Sequence, residues 1–199
     1  MATLGPVAPA GAGELNGLGH YLGEMKDFKK ISLLMQDVPP AHTLAELLES
    51  VARDAGVDEV NTVYFPLQTT DFSASVAKVA STDPEAVYTL ATGSQLTLVW
   101  NLLQQQGIES DQVYVQGGSL DSNFFKEAGP VAVGANVMSE FTNPDDLSDP
   151  DVKLYREAMD KYGFGEIARS MFSQWGFANV MFLAEVAKTI GSQNLDAKA

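Results

Sequence analysis

The sequence predicts an α/β fold in which a parallel sheet carries helices on both faces. Short apolar runs alternate with segments whose apolar residues recur at helical spacing, from residue 30 to about residue 141. Polar turns with helix-capping residues separate these segments, as at Thr69-Thr70-Asp71. Hydrophobic residues make up 45% of the chain, which is enough for a packed core.

The first half of the predicted domain has the order helix, strand, helix, strand. Residues 1–13 are rich in Ala, Gly and Pro and predict a flexible lead. An apolar stripe predicts a helix over Glu14–Lys26. Lys30–Met35 and Val60–Pro66 are the first two predicted strands. The helix between them is predicted to end at Gly56, because glycine commonly terminates helices.

The third strand lies between two capped helices. Thr70 or Asp71 is the predicted cap of the helix that precedes it. Ala86–Ala91 is the predicted strand itself. Ser94 is the predicted cap of the next helix, and Gly107 is predicted to end that helix.

Two further strands complete the predicted sheet. Gln112–Gln116 is the fourth strand, Ser122–Ala128 is a short helix, and Val131–Ser139 is the fifth strand. Right-handed crossovers between parallel strands leave few strand orders, and the flavodoxin-like order is favoured among them. The domain is therefore predicted to be Rossmann-like or flavodoxin-like.

The pattern changes after Phe141. A polar, acidic linker is followed by a helix with Ser148 or Asp149 as its cap and Pro150 at its first position. A long helix is predicted over Glu166–Ile190, apolar around much of its circumference. Such a helix is normally buried, yet no strand follows it in the chain. We therefore expect an exposed apolar stripe that includes Phe172, Trp175, Val180 and Leu183.

Composition excludes several classes of function. The net charge of −14 disfavours nucleic acid and anionic membrane as partners, because both require a basic surface. The chain contains no cysteine, which excludes disulfides, thiol nucleophiles and Cys-ligated metals. The first residues lack the basic and apolar regions of a signal peptide, so none is predicted in this chain.

Five segments closely resemble type I periplasmic solute-binding proteins, the branched-chain amino acid receptors of ABC importers and their relatives. Each segment occurs in the order and spacing of that family. The segments are DFKKISLLMQD, TTDFSASVAKV, DPEAVYTLATGSQLTLVWNLLQQQGI, VYVQGGSLD and DPDVKLYREAMDKYG.

The resemblance implies two Rossmann-like lobes that close on a solute. Residues 30–141 look like the second lobe, and residues 14–29 and 142–199 look like helices of an incomplete first lobe. The implied function is reversible binding of an amino acid, an amide or a short organic acid. The implied partners are the membrane permease of an ABC transporter and either a first lobe or a second copy bound through the C-terminal helix. The implied location is periplasmic or extracytoplasmic.

Solutes bind open parallel sheets at the carboxyl ends of the strands, near the point where the strand order reverses. The loops predicted at that edge combine glycines with small polar side chains. On sequence alone, these residues are also the turn glycines and caps that every α/β domain needs. The predicted solute contacts are Gln36, Asp37, Thr92, Gly93, Ser94, Gly117, Gly118 and Ser119.

Three other interpretations remain open. The same fold occurs in cytoplasmic sensors of amides or amino acids and in flavodoxin-like enzymes or nucleotide binders, and the chain alone could bind nothing. Gly117-Gly118-Ser119 lacks the spaced third glycine of a dinucleotide fingerprint. His20 and His42 have no ligand-spaced partner, so no metal is predicted. We predict no catalytic residue and no cofactor.

Overall fold

A five-stranded sheet forms the centre of the first part of the chain. The computed structural model describes residues 12–91, 93–119, 124 and 127–191. Two units are distinguished, one within Ala10–Glu140 and one from Phe141 onward, and each is described by itself.

All strand pairs in the sheet are parallel, and the strand order is β2-β1-β3-β4-β5. This confirms both the predicted parallel sheet and the predicted flavodoxin-like order. The strands are β1 (Lys30–Gln36), β2 (Glu59–Phe65), β3 (Ala86–Thr89), β4 (Val113–Gln116) and β5 (Asn136–Met138).

Helices cover both faces of this sheet, as predicted. Alternate residues of each strand point to opposite faces, so the strands contribute to two separate cores. One core contains Leu15 and Leu48 from the first two helices, and the other contains Val76 and Trp100 from the next two. The helices are α1 (Ala12–His20), continued by a π-helical turn (Tyr21–Met25), α2 (Pro39–Asp54), α3 (Ser73–Ala80) and α4 (Ser94–Gln105).

The first helix and its π-helical turn approach α2 closely at two glycines. A Cβ atom on Gly19 would lie 2.6 Å from a side-chain carbon of Val51, and one on Gly23 would lie 2.4 Å from the carbonyl oxygen of Ala55. Glycines four residues apart lie on the same side of a helix. They therefore let the two backbones approach more closely than side chains would permit.

The predicted helix ends at Gly56 and Gly107 are confirmed, because each glycine has a positive φ directly after its helix. The predicted caps are wrong in detail. Phe72 is the N-cap residue of α3, and Asp71 Oδ1 instead accepts a 2.9 Å hydrogen bond from Ser73 N. Helix α4 begins at Ser94 itself, with Gly93 as its N-cap residue.

The fifth strand is shorter than predicted. It begins at Asn136, because Gly129–Ala132 forms a 3₁₀ turn around Pro130, and Gly134 has a φ of +99°. Neither geometry fits a strand, although the local residues are apolar. The predicted short helix over Ser122–Ala128 falls largely outside the described residues.

The second unit contains two helices, α5 (Pro150–Lys161) and α6 (Met171–Ile190). Asp149 is the N-cap residue of α5 and accepts from Asp151 N at 2.8 Å and Val152 N at 3.2 Å, which confirms one of the two predicted caps. The predicted start of the long helix at Glu166 is wrong. The chain forms a 3₁₀ turn at Gly165–Ile167, and extended Ser170 then precedes the helix.

A bridged carboxylate connects the parts of this second unit. Asp145 Oδ1 accepts from Arg156 at 2.8 Å, and Asp145 Oδ2 accepts from Arg169 Nε at 2.9 Å. These contacts, with Arg169 contributing most, hold the pKa of Asp145 below its usual value. The loop before α5 is thereby joined to α5 and to the segment that precedes α6.

Helix α6 exposes large apolar side chains. Phe172 is 63% exposed, Val180 66% and Leu183 44%, as predicted. Trp175 is only partly exposed, and its ring packs edge-on against the Phe172 ring, with the ring centres 5.4 Å apart. The prediction that Trp175 lies in the exposed apolar stripe is therefore wrong. None of the described helices is long and apolar enough to cross a membrane.

Candidate functional site

The carboxyl ends of β1 and β3 meet where the strand order reverses. Strand β1 pairs with β2 on one side and with β3 on the other, so the connections leave this point in opposite directions. Leu34 aligns with Thr89, and Gln36 aligns with Phe65. The loops that follow these strands therefore open at one edge of the sheet, where α/β proteins bind small molecules.

Two glutamines span this reversal point. Gln36 is the last residue of β1, and its Nε2 donates to Gln95 Oε1 at 3.2 Å. Gln95 lies in the first turn of α4, and its Nε2 donates to the carbonyl oxygen of Leu67 at 2.9 Å. This chain of amides joins the loops that follow β1, β2 and β3.

Gly93 determines where α4 begins. Its φ of 54° and ψ of −130° belong to a region that residues with a Cβ atom rarely adopt. Its carbonyl oxygen accepts from Leu96 N at 3.1 Å, which closes the first turn of the helix. The first N–H groups of a helix have no acceptor within the helix. At this edge they form a donor surface that favours negative charge.

Two buried hydroxyl groups lie near the same edge. Ser119 is 3% exposed in the 3₁₀ turn after β4, and Thr89 is fully buried at the end of β3. Neither hydroxyl oxygen has a hydrogen-bond partner among the described residues. Buried polar groups are normally paired, so both have unused hydrogen-bonding capacity.

The predicted contact Asp37 already has a partner. Its carboxylate lies 2.8 Å from His42 Nε2, and its backbone N–H donates to the carbonyl oxygen of Phe65 at 2.7 Å. The His42 ring stacks on Tyr64 with the ring centres 4.0 Å apart. Sequence reasoning missed this partner, because the pairing depends on the turn between β1 and α2.

Seven of the eight predicted contact residues are described, and they all follow the carboxyl ends of β1, β3 and β4. Thr92 lies outside the described residues. That these residues contact a solute remains a prediction. Gln95, which bonds Gln36, was not among the predicted contacts, although its place in the first helical turn after β3 could have indicated it. The described residues are Gln36, Asp37, Gly93, Ser94, Gly117, Gly118 and Ser119.

No group of three or more His, Cys, Asp or Glu side chains in the described part of the chain is arranged to hold a metal ion. The ionisable pair at the edge is Asp37 with His42. The other polar side chains described at this edge are neutral amides and hydroxyls, as in Gln36, Gln95 and Ser119. The site thus offers hydrogen-bond donors and acceptors with little fixed charge.

Fold, strand order and site position are those of a solute-binding lobe, and the sequence agrees. The sequence model of the periplasmic binding protein family matches residues 3–199. The chain therefore belongs to this family. The Leu/Ile/Val-binding protein homolog 1 of Brucella suis is 26% identical over 181 residues, which cover 88% of this chain and 46% of the relative. The chain spans about half the length of the curated relatives it matches.

Solved structures show the same fold. A leucine-binding protein, LivK, of Thermotoga maritima superposes with a TM-score of 0.72 at 16% identity, covering 89% of this chain and 50% of that protein. A solute-binding protein of Rhodopseudomonas palustris in complex with benzoate has a TM-score of 0.70 at 16% identity, with coverage of 90% and 48%. These likenesses confirm the predicted fold, and the family match described above confirms the predicted resemblance to periplasmic solute-binding proteins.

Proposed function

We propose that this protein binds a small polar solute reversibly, as the solute-binding component of an ABC importer outside the cytoplasmic membrane. The solute is an amino acid, an amide or a short organic acid, and the membrane partner is the transporter permease. The observation that carries the proposal is the Gln36–Gln95 pair at the reversal point of the sheet in a chain of this family.

The chemistry of the edge suits a ligand with a carboxylate or amide end. Each glutamine presents both a donor and an acceptor, and the first turn of α4 adds backbone N–H groups. The relatives described above are named for leucine, isoleucine and valine, or hold benzoate, and all of these carry a carboxylate. The proposed function is therefore binding and release of the solute, without a chemical step on it.

The lobe assignment is part of the proposal. Residues 30–141 belong to the second lobe and residues 142–199 to the first. Residues 14–29, which were predicted to be first-lobe helices, are assigned to the second lobe instead, because Leu15, Leu18 and Leu22 pack in the core of its sheet. The alternating helices and parallel strands within residues 30–141 support this assignment, together with the partial coverage of longer relatives. A second surface that closes over the solute is what would give such a lobe high affinity, because closure removes competing water.

Calorimetric titration of the 199-residue chain with amino acids, their amides and short organic acids tests this function. At least one solute should bind, and Gln95→Ala should weaken its binding by about tenfold, since a partly buried polar pair loses one partner. The matched control is Gln105→Ala, an exposed glutamine at the opposite end of α4, which should leave binding unchanged. Binding that Gln95→Ala does not weaken would contradict the proposal.

A further inference from the structure

The described residues form a second concave surface besides the Gln36–Gln95 edge. It is an open groove of about 610 Å³ between α1, the π-helical turn and strands β4 and β5. None of the predicted solute-contact residues lines it. The lining residues are Gly13, Glu14, Gly17, Leu18, Tyr21, Tyr114 and the run Ala135–Ser139.

Glu14 lies in this groove without a counter-charge. Its Oε2 accepts from Gln116 Nε2 at 2.7 Å, while its buried Oε1 has no partner among the described residues. Burial, which is the larger effect, and the nearby Glu140 carboxylate both raise the pKa of Glu14 above its usual value. Among the described lining residues there is no Lys, Arg or His side chain. The negative potential at Glu14 is therefore uncompensated by the lining.

Two tyrosine rings form an aromatic wall of the groove. The centres of the Tyr21 and Tyr114 rings lie 6.3 Å apart, with the rings tilted by 59°. Burial raises the pKa of Tyr114 to about 12, so its ring stays neutral near pH 7. The Nζ atom of Lys26 already lies 5.5 Å from the centre of the Tyr21 ring. The face of such a ring attracts cations.

We propose that this groove is a second binding site, which takes a small organic cation such as an alkylammonium or arylammonium ion. The carboxylate of Glu14 supplies the counter-charge, and the half-buried ring of Tyr21 receives the cationic head, while Tyr114, which is 2% exposed, packs behind that ring. Val137, which is 48% exposed, provides apolar surface for the hydrocarbon part. This site is independent of the proposed function, because it shares no contact residue with the Gln36–Gln95 edge.

The carboxylates at the groove disfavour anionic and neutral ligands. An anion would meet Glu14 and Glu140 with no basic side chain in the lining. A neutral polar molecule would bury its polar end beside a carboxylate and gain only an ordinary hydrogen bond. A cation gains a charge-assisted contact as well, which is roughly twice as strong as a neutral one.

A nuclear magnetic resonance titration of the 199-residue chain with benzylammonium chloride at constant ionic strength tests the site. The amide signals of Leu18, Tyr114 and Val137 should shift and saturate. Benzyl alcohol, the neutral isostere, should bind at least about tenfold more weakly, because charge assistance is lost. Glu14→Gln should weaken benzylammonium by a similar factor, whereas Glu46→Gln, an exposed residue on α2, should not.

Further variants test the aromatic ring of Tyr21 separately from the carboxylate charge of Glu14. Tyr21→Phe should retain binding, and Tyr21→Leu should weaken it several-fold, since only the ring attracts the cation. Gln95→Ala should leave benzylammonium binding unchanged, so failure here is distinct from failure of the solute site. Equal affinity for benzylammonium and benzyl alcohol overturns the proposal even if Glu14→Gln fails to fold. Shifts confined to Gln36 and Gln95 overturn it as well.

Discussion

Gly93 has two structural roles at the start of α4, and the residue types alone do not show which residue fills them. It ends the connection from β3 with a positive φ, and it is the N-cap residue of α4 without any side chain to bond the first turn. A serine follows it directly, and serine is among the preferred caps. The cap falls on the glycine because the chain must turn sharply enough to start α4 at the sheet edge.

Gly93→Ala should lower the free energy of unfolding by about 1–3 kcal/mol, because a Cβ atom makes this backbone conformation strained. Urea denaturation followed by circular dichroism measures the change. Ser94→Ala is the matched control at the next position. It should change stability by less than about 0.5 kcal/mol, since the Ser94 side chain makes no capping hydrogen bond. An unfolding midpoint for Gly93→Ala equal to that of the native chain would refute the argument.

Asp145 gives a pH-dependent prediction at the same scale. Its folded pKa is lowered by Arg169 and Arg156, so its contribution to stability is present above the unfolded pKa and disappears as pH falls through the folded pKa. Its side chain is 47% exposed, so solvent screens the contacts and the loss on Asp145→Asn at pH 7 should be only about 0.5–1 kcal/mol.

A double-mutant cycle isolates this ion pair. Asp145→Asn and Arg169→Gln should each destabilise the chain at pH 7, and their combined effect should be smaller than the sum of the two. The coupling should vanish in acid and shrink in high salt. Coupling that is unchanged at pH 2 would show that the carboxylate charge has no part in it.

At the scale of secondary-structure elements, glycines in α1 and in its π-helical turn allow close packing, although glycine has a low helix propensity. Glycine lowers helix propensity, which weakens the helix prediction over Glu14–Lys26. Gly19 and Gly23 nevertheless face α2, and the space for a Cβ atom is occupied at both. The close approach of the two helices compensates for the poor propensity.

Gly23→Ala should therefore destabilise the chain by about 1–3 kcal/mol, because the added methyl group overlaps the backbone at Ala55. Gly17→Ala is the control on the same helix. No atom lies within 4 Å of the Cβ position at Gly17, so this change should stabilise the helix by up to about 1 kcal/mol. Thermal unfolding that ranks the two variants in the opposite order would disprove the packing role.

Local sequence predicted those elements whose ends are set by local chemistry. Gly56 and Gly107 follow the ends of their helices with positive φ, and Asp149 with Pro150 begins one. The start of β5 was missed because apolar Val131 and Val133 have strand propensity, whereas the backbone at Gly129 and Gly134 is not extended. Apolar character alone cannot distinguish a strand from the 3₁₀ turn that forms here.

The position of the candidate site was predictable for a different reason. Parallel strands place their carboxyl ends at one edge, so the loops after β1, β3 and β4 could be grouped from the strand order alone. The Gln36–Gln95 hydrogen bond could not be predicted in this way, because the residues are far apart in sequence. Their contact depends on β1 lying next to β3 and on the exact start of α4.

At the scale of the whole molecule, the exposed apolar surface of α6 governs how copies of the chain behave. Phe172, Val180 and Phe182 are each more than half exposed. Contiguous apolar patches on soluble monomers are normally small. The net charge of −14 opposes association by repulsion, and salt screens that repulsion.

We expect the 199-residue chain to self-associate through α6. Its mass by static light scattering should rise with protein concentration and with salt. The double substitution Phe172→Ser and Val180→Ser should reduce this rise, because it removes exposed apolar area. Leu98→Ser on α4 removes a leucine that is 46% exposed and should have little effect. A constant monomer mass across the concentration series would contradict the expectation.

If the solute binds at the Gln36–Gln95 edge as proposed, it enters by replacing the hydrogen bond between these two amides. An incoming molecule must break that hydrogen bond, and both amides are paired again only if the molecule brings its own donor and acceptor. An apolar molecule of the same size would leave amide groups unpaired at about 1–3 kcal/mol each. The site would therefore discriminate by penalising molecules that cannot complete the exchange, more than by attracting those that can.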